Sequence, residues 1–214
     1  YCARLDTRME SVKVLGLVNI TVLAAGSIFT GSVHEPIKGT KNPQKMLQTG
    51  IPFTKKPVAL QFDYKVKMSD RENRIRATGF SKITDVPGKD YPAAILLLQK
   101  RWEDANGNVY AKRIGTMVTY YYHSTDWKNN VTYEIMYGDI TNRPEYKAHM
   151  MRLQATESYT VNSKGESVPI HEVAWGDEND VPTHMYIQFT SSHGGAYIGS
   201  PGNTLWVDNV KLVY

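Results

Sequence analysis

The sequence predicts an all-β protein, a two-sheet β-sandwich of the jelly-roll kind, and three observations carry that expectation. In PVALQFDYKVKM (57–68), Leu60, Phe62, Tyr64, Val66 and Met68 fall in one row and Gln61, Asp63, Lys65 and Lys67 in the other. Successive side chains of a strand point to opposite faces, so this is the pattern of a sheet with one dry and one wet side. The aromatic residues are 14 Tyr, 5 Phe and 4 Trp, Val and Thr are abundant, and amphipathic helical periods are nearly lacking, a composition that favours strands. Seven strand-like segments are joined by connections of uneven length, which fits crossovers between two sheets better than a simple up-and-down barrel.

Taken in chain order, the expected strands are ESVKVLGLV (10–18), the 57–68 segment, AAILLLQKRWED (93–104), NVYAKRIGTMVTYYYHS (108–124), VTYEIMYG (131–138), HMYIQFTSS (184–192) and TLWVDNVKLVY (204–214). Asn106-Gly107 predicts a type I′ hairpin turn, which needs positive φ at both central residues. Segments 34–56, 69–92 and 141–182 are richer in Pro, Gly, Asn and charge, and read as long connections within one domain spanning residues 1–214. One short helix is expected within 143–154, where Tyr146, Met150 and Leu153 follow helical spacing and Pro144 suits the first helical position.

A chain of 214 residues can bury a substantial core without covalent staples. With Cys2 as its one cysteine it forms no internal disulfide, and no apolar run approaches the length of a membrane-spanning helix. The net charge of +4 is unevenly placed: residues 41–82 hold ten Lys or Arg against three acids, and 157–180 six acids against one Lys. The basic stretch lacks the glycine and aromatic order of an RNA-recognition motif, so nucleic acid is not an expected partner. No HExxH, P-loop, GxGxxG or Gly-x-Ser-x-Gly pattern is present, which removes the sequence basis for a zinc hydrolase, nucleotide hydrolase, dinucleotide enzyme or serine esterase. The opening YCARLDTR has neither an initiator Met nor a signal-peptide layout, as expected for a mature piece of a longer protein.

Asp208 poses a separate question. In an unbroken strand it shares the row of Trp206, Val210, Leu212 and Tyr214, which reads as the buried one, and a buried carboxylate needs a cation, a metal or N–H donors. A β-bulge at Asp208 and Asn209 would instead turn the acid to solvent.

Four stretches, AAGSIFTG (24–31), GIPFTKKPVALQFDYKV (50–66), YIQFTSSHGGAYIGSPG (186–202) and TLWVDNVKLVY (204–214), resemble in order and spacing the putative carbohydrate metabolism domain of surface proteins from glycan-degrading gut bacteria. The resemblance runs from Arg4 onward. It departs from the usual pattern where Gln61-Phe62-Asp63 replaces a Gly-Tyr-Tyr type of run, and in the long 141–182 connection. The resemblance implies a jelly-roll sandwich similar to carbohydrate-binding modules, the C-terminal part of an exported protein of the cell surface or periplasm, behind an immunoglobulin-like N-terminal domain. By analogy with calcium-bearing jelly-roll modules it also implies Asp208 as a ligand of a structural Ca2+, joined by oxygens of the Ser27–Gly31 turn. The alternative is an Asp208 carboxylate answered by Arg4 or by backbone amides.

A sugar ring presents C–H faces and a rim of hydroxyls, so a site for an oligo- or polysaccharide needs exposed aromatic rings beside polar side chains. Candidate ligand-binding residues are Gln61 and Asp63 on the wet row, with Gln99 and Arg101 expected beside them. Tyr120, Tyr122 and Trp127 of TYYYHSTDW (119–127) join them, with Asp126 and Trp127 placed in the loop after the strand, as do His193 and Tyr197 of a glycine-rich loop. Three functions follow as alternatives: a carbohydrate-binding module, a glycoside hydrolase for which Asp63 and Glu134 are the candidate acids, or a structural or adhesive surface module.

Overall fold

The computed structural model describes residues 1–14, 18–33, 42–79, 81–150 and 158–214. The strands of the first third are β1 (Ala3–Val14), β2 (Val18–Ala25), β3 (Ser27–Phe29), β4 (Gly31–Val33), β5 (Leu47–Thr49) and β6 (Ile51–Pro52). They are followed by β7 (Ala59–Lys67), β8 (Arg74–Arg76), β9 (Thr84–Val86), β10 (Ala93–Glu103), β11 (Val109–Tyr120), β12 (Thr125–Glu134) and β13 (Met136–Tyr137). The last are β14 (Tyr159–Val161), β15 (Ser167–Trp175), β16 (His184–Thr190), β17 (Ile198–Gly199) and β18 (Thr204–Val213).

The strands form a β-sandwich. One sheet has the order β12-β7-β18-β1-β2. The other runs β3-β16-β10-β11-β15-β14-β5-β4, with β13 added to β11 and β6 to β16, and β17-β8-β9 form a third, small sheet. Leu60, Phe62 and Val66 of β7 with Leu205 and Val207 of β18 face Leu96, Leu98, Ile114 and Phe189 of the larger sheet across one core. The dry row expected in 57–68 is therefore the inner row. Phe62 lies at the centre, stacked on Tyr133 at 5.2 Å and edge-on to Phe189 at 4.9 Å. Such ring pairs contribute about 0.5–1.5 kcal/mol each beyond the area they bury.

Several expectations from sequence are corrected. The β10–β11 turn is not type I′, because Gly107 has φ +91° while Asn106 is not among the residues with positive φ. Asp104 Oδ1 accepts the amides of Asn106 and Asn108, each at 2.9 Å, and this side-chain turn selects an ordinary turn closed by the glycine. The helix expected over 143–154 is a 3-10 turn at Ala148–Met150, preceded by i→i+3 turns at Arg143 and Tyr146; residues 151–157 lie outside the described ones. Strands β2 and β15 were not foreseen. β15 hides from pattern reading because Pro169 interrupts it, yet it pairs parallel to β11 within a connection that reads as loop. Among the described residues no helix is long and apolar enough to cross a membrane.

The last strand answers the question about Asp208. Its inner residues are Leu205 and Val207, and the pairing with β7 then shifts between Asp208 and Lys211, after which Leu212 packs on the core. Asn209, at φ +50°, takes up the extra residue. Trp206 and Asp208 consequently lie on the outer face, not in the buried row that unbroken alternation gives them.

Candidate functional site

The outer face of the five-stranded sheet is built by the wet row of β7. Gln61, Asp63 and Lys65 point away from the core because Leu60, Phe62, Tyr64 and Val66 point into it. On β12 the pairing shifts twice, between Thr125 and Lys128 and between Lys128 and Val131, with Asn130 at φ +52°. β7 is thus flanked by bulged strands on both sides, each with an asparagine in the left-handed region that asparagine tolerates better than most residues.

Asp63 joins the Asn130 bulge of β12 to the Asn209 bulge of β18. Its Oδ1 accepts the Asn130 amide and its Oδ2 the Asn209 Nδ2, both at 2.6 Å. The Asn130 amide, then Asn209, and further off the Lys211 charge hold its carboxyl below the usual range. Asp208 stands directly opposite Asp63 in the register, a like-charge pair that is tolerated because Asp208 Oδ1 accepts the Asn209 amide at 2.8 Å. Both oxygens of Asp63 are thus committed to the bulge asparagines, one to a backbone amide and one to a side chain, and its acidity is displaced the wrong way for a general acid.

A cleft then opens beside one transverse row of this face. Arg4, Trp206 and Lys65 are direct cross-strand neighbours on β1, β18 and β7. The Arg4 guanidinium carbon is 5.6 Å and the Lys65 ammonium 5.8 Å from the centre of the Trp206 ring, and Lys65 Nζ is 3.6 Å from Asp126 Oδ1. Trp127, 42 % exposed, stands on the bulged β12 and completes an open cleft of about 680 Å3 lined by Lys65, Ser124, Asp126, Trp127 and Trp206. Asp126 and Trp127 therefore lie in a strand and not in the expected loop. The Asp126 side chain is fully exposed and that of Lys65 37 % exposed, so the pair is loose and both heads are open to a ligand.

Asp208 does not fit the calcium arrangement. The Ser27–Phe29 strand pairs with Gln188–Thr190, and Gly26 bonds to Asp6, the partner of Thr204. Asp208 is four residues farther along β18, about 13 Å at ~3.3 Å per residue. Among the described residues no group of three or more His, Cys, Asp or Glu side chains could hold a metal ion. Arg4 does not answer Asp208 either, since it pairs with Asp6; the backbone amide does.

Gln99 and Arg101 do not join the wet row of β7. They belong to the other sheet, on a face covered by β5. Gln99, 2 % exposed, donates to Glu172, which forms a fully buried bidentate ion pair with Arg113. Arg101 Nε donates to Gln99 Oε1 and its Nη1 to the Thr49 carbonyl, both at 2.8 Å. Burial brings Arg101 down to about 10, with Glu172 acting against the shift. This network ties four strands together and leaves neither side chain free for a sugar.

Tyr120, Tyr122 and His193 do meet, at one end of the sandwich. Tyr121 turns into the core and its neighbours turn out. His193 packs on Tyr120 at 4.8 Å and on Tyr91 at 5.5 Å, Tyr120 stacks on His149 at 4.5 Å, and Tyr122 meets Tyr91 edge-on at 4.7 Å. The loop of His193 is pinned from below: the buried Asp90 carboxylate accepts Ser192 Oγ, the His193 and Ser200 amides and Asn203 Nδ2. Tyr197 stands apart from these rings, at φ +63°, its carbonyl accepting the Ala77 amide. Tyr91, His149, Asp90 and Trp206 were missed from sequence. Only Trp206 carried a signal, the Asp-Asn pair that makes the bulge.

Glu134 is exposed and pairs with Ala59, four residues from Asp63 along β7. That separation is about 13 Å, beyond the roughly 5–9.5 Å between the carboxyls of glycosidases. The two acids do not form a catalytic pair.

Comparison with solved structures places the fold. The chain matches a putative glycoside hydrolase from Bacteroides thetaiotaomicron with a TM-score of 0.53 at 18% identity, covering 98% of this chain and 57% of that one. It matches a putative glycoside hydrolase from Bacteroides vulgatus with a TM-score of 0.54 at 16% identity, covering 99% and 72%. Comparison with curated protein sequences gives no match. The model of one family, the putative carbohydrate metabolism domain, matches residues 1–213, and the chain belongs to that family.

Proposed function

We propose that this chain is a carbohydrate-binding module of an exported glycan-utilisation protein, and that an oligo- or polysaccharide lies in the cleft between Trp127 and Trp206. In the full protein it stands behind an immunoglobulin-like domain, at the cell surface or in the periplasm. The observation that carries the reading is the juxtaposition of Trp127 and Trp206 with the loosely paired Lys65 and Asp126 in one open cleft. The indoles supply area for the C–H face of a pyranose, and the charged heads supply a donor and an acceptor for vicinal hydroxyls. Membership of the putative carbohydrate metabolism domain family supports a carbohydrate as the ligand class.

A hydrolase at this face would need an acid with a raised pKa opposite a second carboxylate. On this face Asp63 is shifted downward by the donors around it, and Glu134 lies about 13 Å away along the strands. Both observations support binding over bond cleavage. Affinity electrophoresis through gels holding soluble polysaccharides, run beside a reducing-end assay on the same glycans, tests the reading. Retardation without sugar release is expected. Release that stops when one carboxylate is made an amide would make the protein a hydrolase, and neither retardation nor release would make it a structural or adhesive module.

A further inference from the structure

We infer that a second glycan platform lies on the larger sheet, formed by Trp102, Tyr110 and His171; its ligand class rests on the carbohydrate reading of the cleft. These three residues are direct neighbours in the register of β10, β11 and β15, so their rings form one line across the strands. Trp102 stacks on Tyr110 at 5.8 Å and 23°, and Tyr110 meets His171 at 5.7 Å and 39°. The row is the one that carries Leu96 and Leu98 into the core, and it emerges to solvent at Lys100 and Trp102, the latter 43 % exposed. A row of three rings on the sheet face, with the Trp102 indole left open to water and Tyr110 and His171 half-buried beside it, is not what core packing produces.

Polar groups border the strip on both sides. Towards one end lie Lys112 and the 2.8 Å pair of Lys100 with Asp180, and at the other Asp104 receives the Tyr110 hydroxyl at 3.5 Å. An apolar protein surface would leave these heads without water or partners, whereas a glycan chain offers a hydroxyl to each while its C–H faces cover the rings. Charges of both signs on the border do not select a polyanion. The occupant is therefore an extended stretch of neutral polysaccharide running across the strands.

The platform is also rigid. On the opposite face of the same strands sit the buried Arg113–Glu172 pair and its links to Gln99 and Arg101, which lock β10, β11 and β15 together. A strip held in register before binding loses little entropy when a ligand covers it.

The test follows the indole N–H signals of the 15N-labelled protein, assigned with Trp→Phe variants, during titration with hydroxyethylcellulose, arabinoxylan, galactomannan and dextran fragments. The expected result is that a fragment moves the Trp102 signal in the wild type and still does so in Trp127→Ala, and that Trp102→Ala weakens retention on the long polymer roughly tenfold. If the Trp127 signal moves while Trp102 stays silent, the platform is overturned and the cleft stands. If Trp102 moves and Trp127 does not, the platform stands and the cleft reading falls. If neither moves with any glycan, both are overturned. His171→Ala, on the far end of the strip, gives the same readout should Trp102→Ala fail to fold.

Discussion

Replacing Trp127 by alanine removes the most accessible ring of the cleft, and its effect can be worked from exposure. A large aromatic side chain offers roughly 150–250 Å2, and 42 % of Trp127 is open, so about 60–100 Å2 is available to a ligand. At about 25 cal/mol per Å2, covering that area with a sugar face contributes about 1.5–2.5 kcal/mol, or roughly 10- to 70-fold in Kd. The rest of the residue is covered by the protein, so by the same bookkeeping the substitution also costs about 2–3.5 kcal/mol of stability. Calorimetry with an oligosaccharide of whichever glycan retards the wild type measures the loss, and a thermal melt checks the fold. A variant that still unfolds cooperatively and binds within about twofold of the wild type would refute the placement of the ligand on Trp127.

Asp63→Ala removes the acceptor of both bulges, so the melting temperature and the glycan affinity should fall together, measured on one preparation. Because the folded-state carboxyl is shifted down, its contribution is present above the ordinary Asp range and lost as pH falls through the lower folded value; Asp63→Asn should flatten acid unfolding in that window. Glu172→Gln leaves the buried Arg113 charge uncompensated and should cost about 3–5 kcal/mol in urea unfolding. His184 is pushed down to about 4 by burial, with the Arg101 charge adding to it. Unfolded chains bind its proton near pH ~6.5, so stability should decline as pH falls from there towards 4, and His184→Asn should remove that slope in a series of melts. A chelator should leave the melting temperature unchanged, since the amide of Asn209 already satisfies Asp208; a drop that calcium restores would overturn this placement.

Period-two alternation made the inner row of β7, the long β10 and β11 strands and the split of Tyr121 from Tyr120 and Tyr122 legible in the sequence. It failed wherever the period is broken. The shift between Thr125 and Lys128 adds a residue at Asp126-Trp127, so Trp127 looked like loop, and the one at Asn209 made Trp206 look like core. Gln99 and Arg101 read as wet because they are polar, and their burial depends on Glu172, a residue far away in sequence on a strand that Pro169 disguises. The meeting of Tyr91 and His149 with Tyr120 depends on chain crossings that local patterns do not encode.

The same breaks that hide the cleft from pattern reading also create it. In a regular sheet, β12 would keep its pairing with β7 through Lys128 and Val131 and carry one residue fewer between them. The bulges give β12 and β18 their extra residues, strengthen the local twist, and leave Trp127 facing the cleft beside Trp206. A bulge costs ladder hydrogen bonds, so β7 keeps the Asn130 bulge on one side and the Asn209 bulge on the other only if something replaces those bonds. Asp63 does so for both at once, one oxygen to each side. The residue that looked most like a sugar ligand or an acid on the wet row is then the support of the cleft. Its loss should act on binding through the positions of the two tryptophans, and an Asp63→Asn variant, which keeps one acceptor, should fall between the wild type and Asp63→Ala in both melting temperature and affinity.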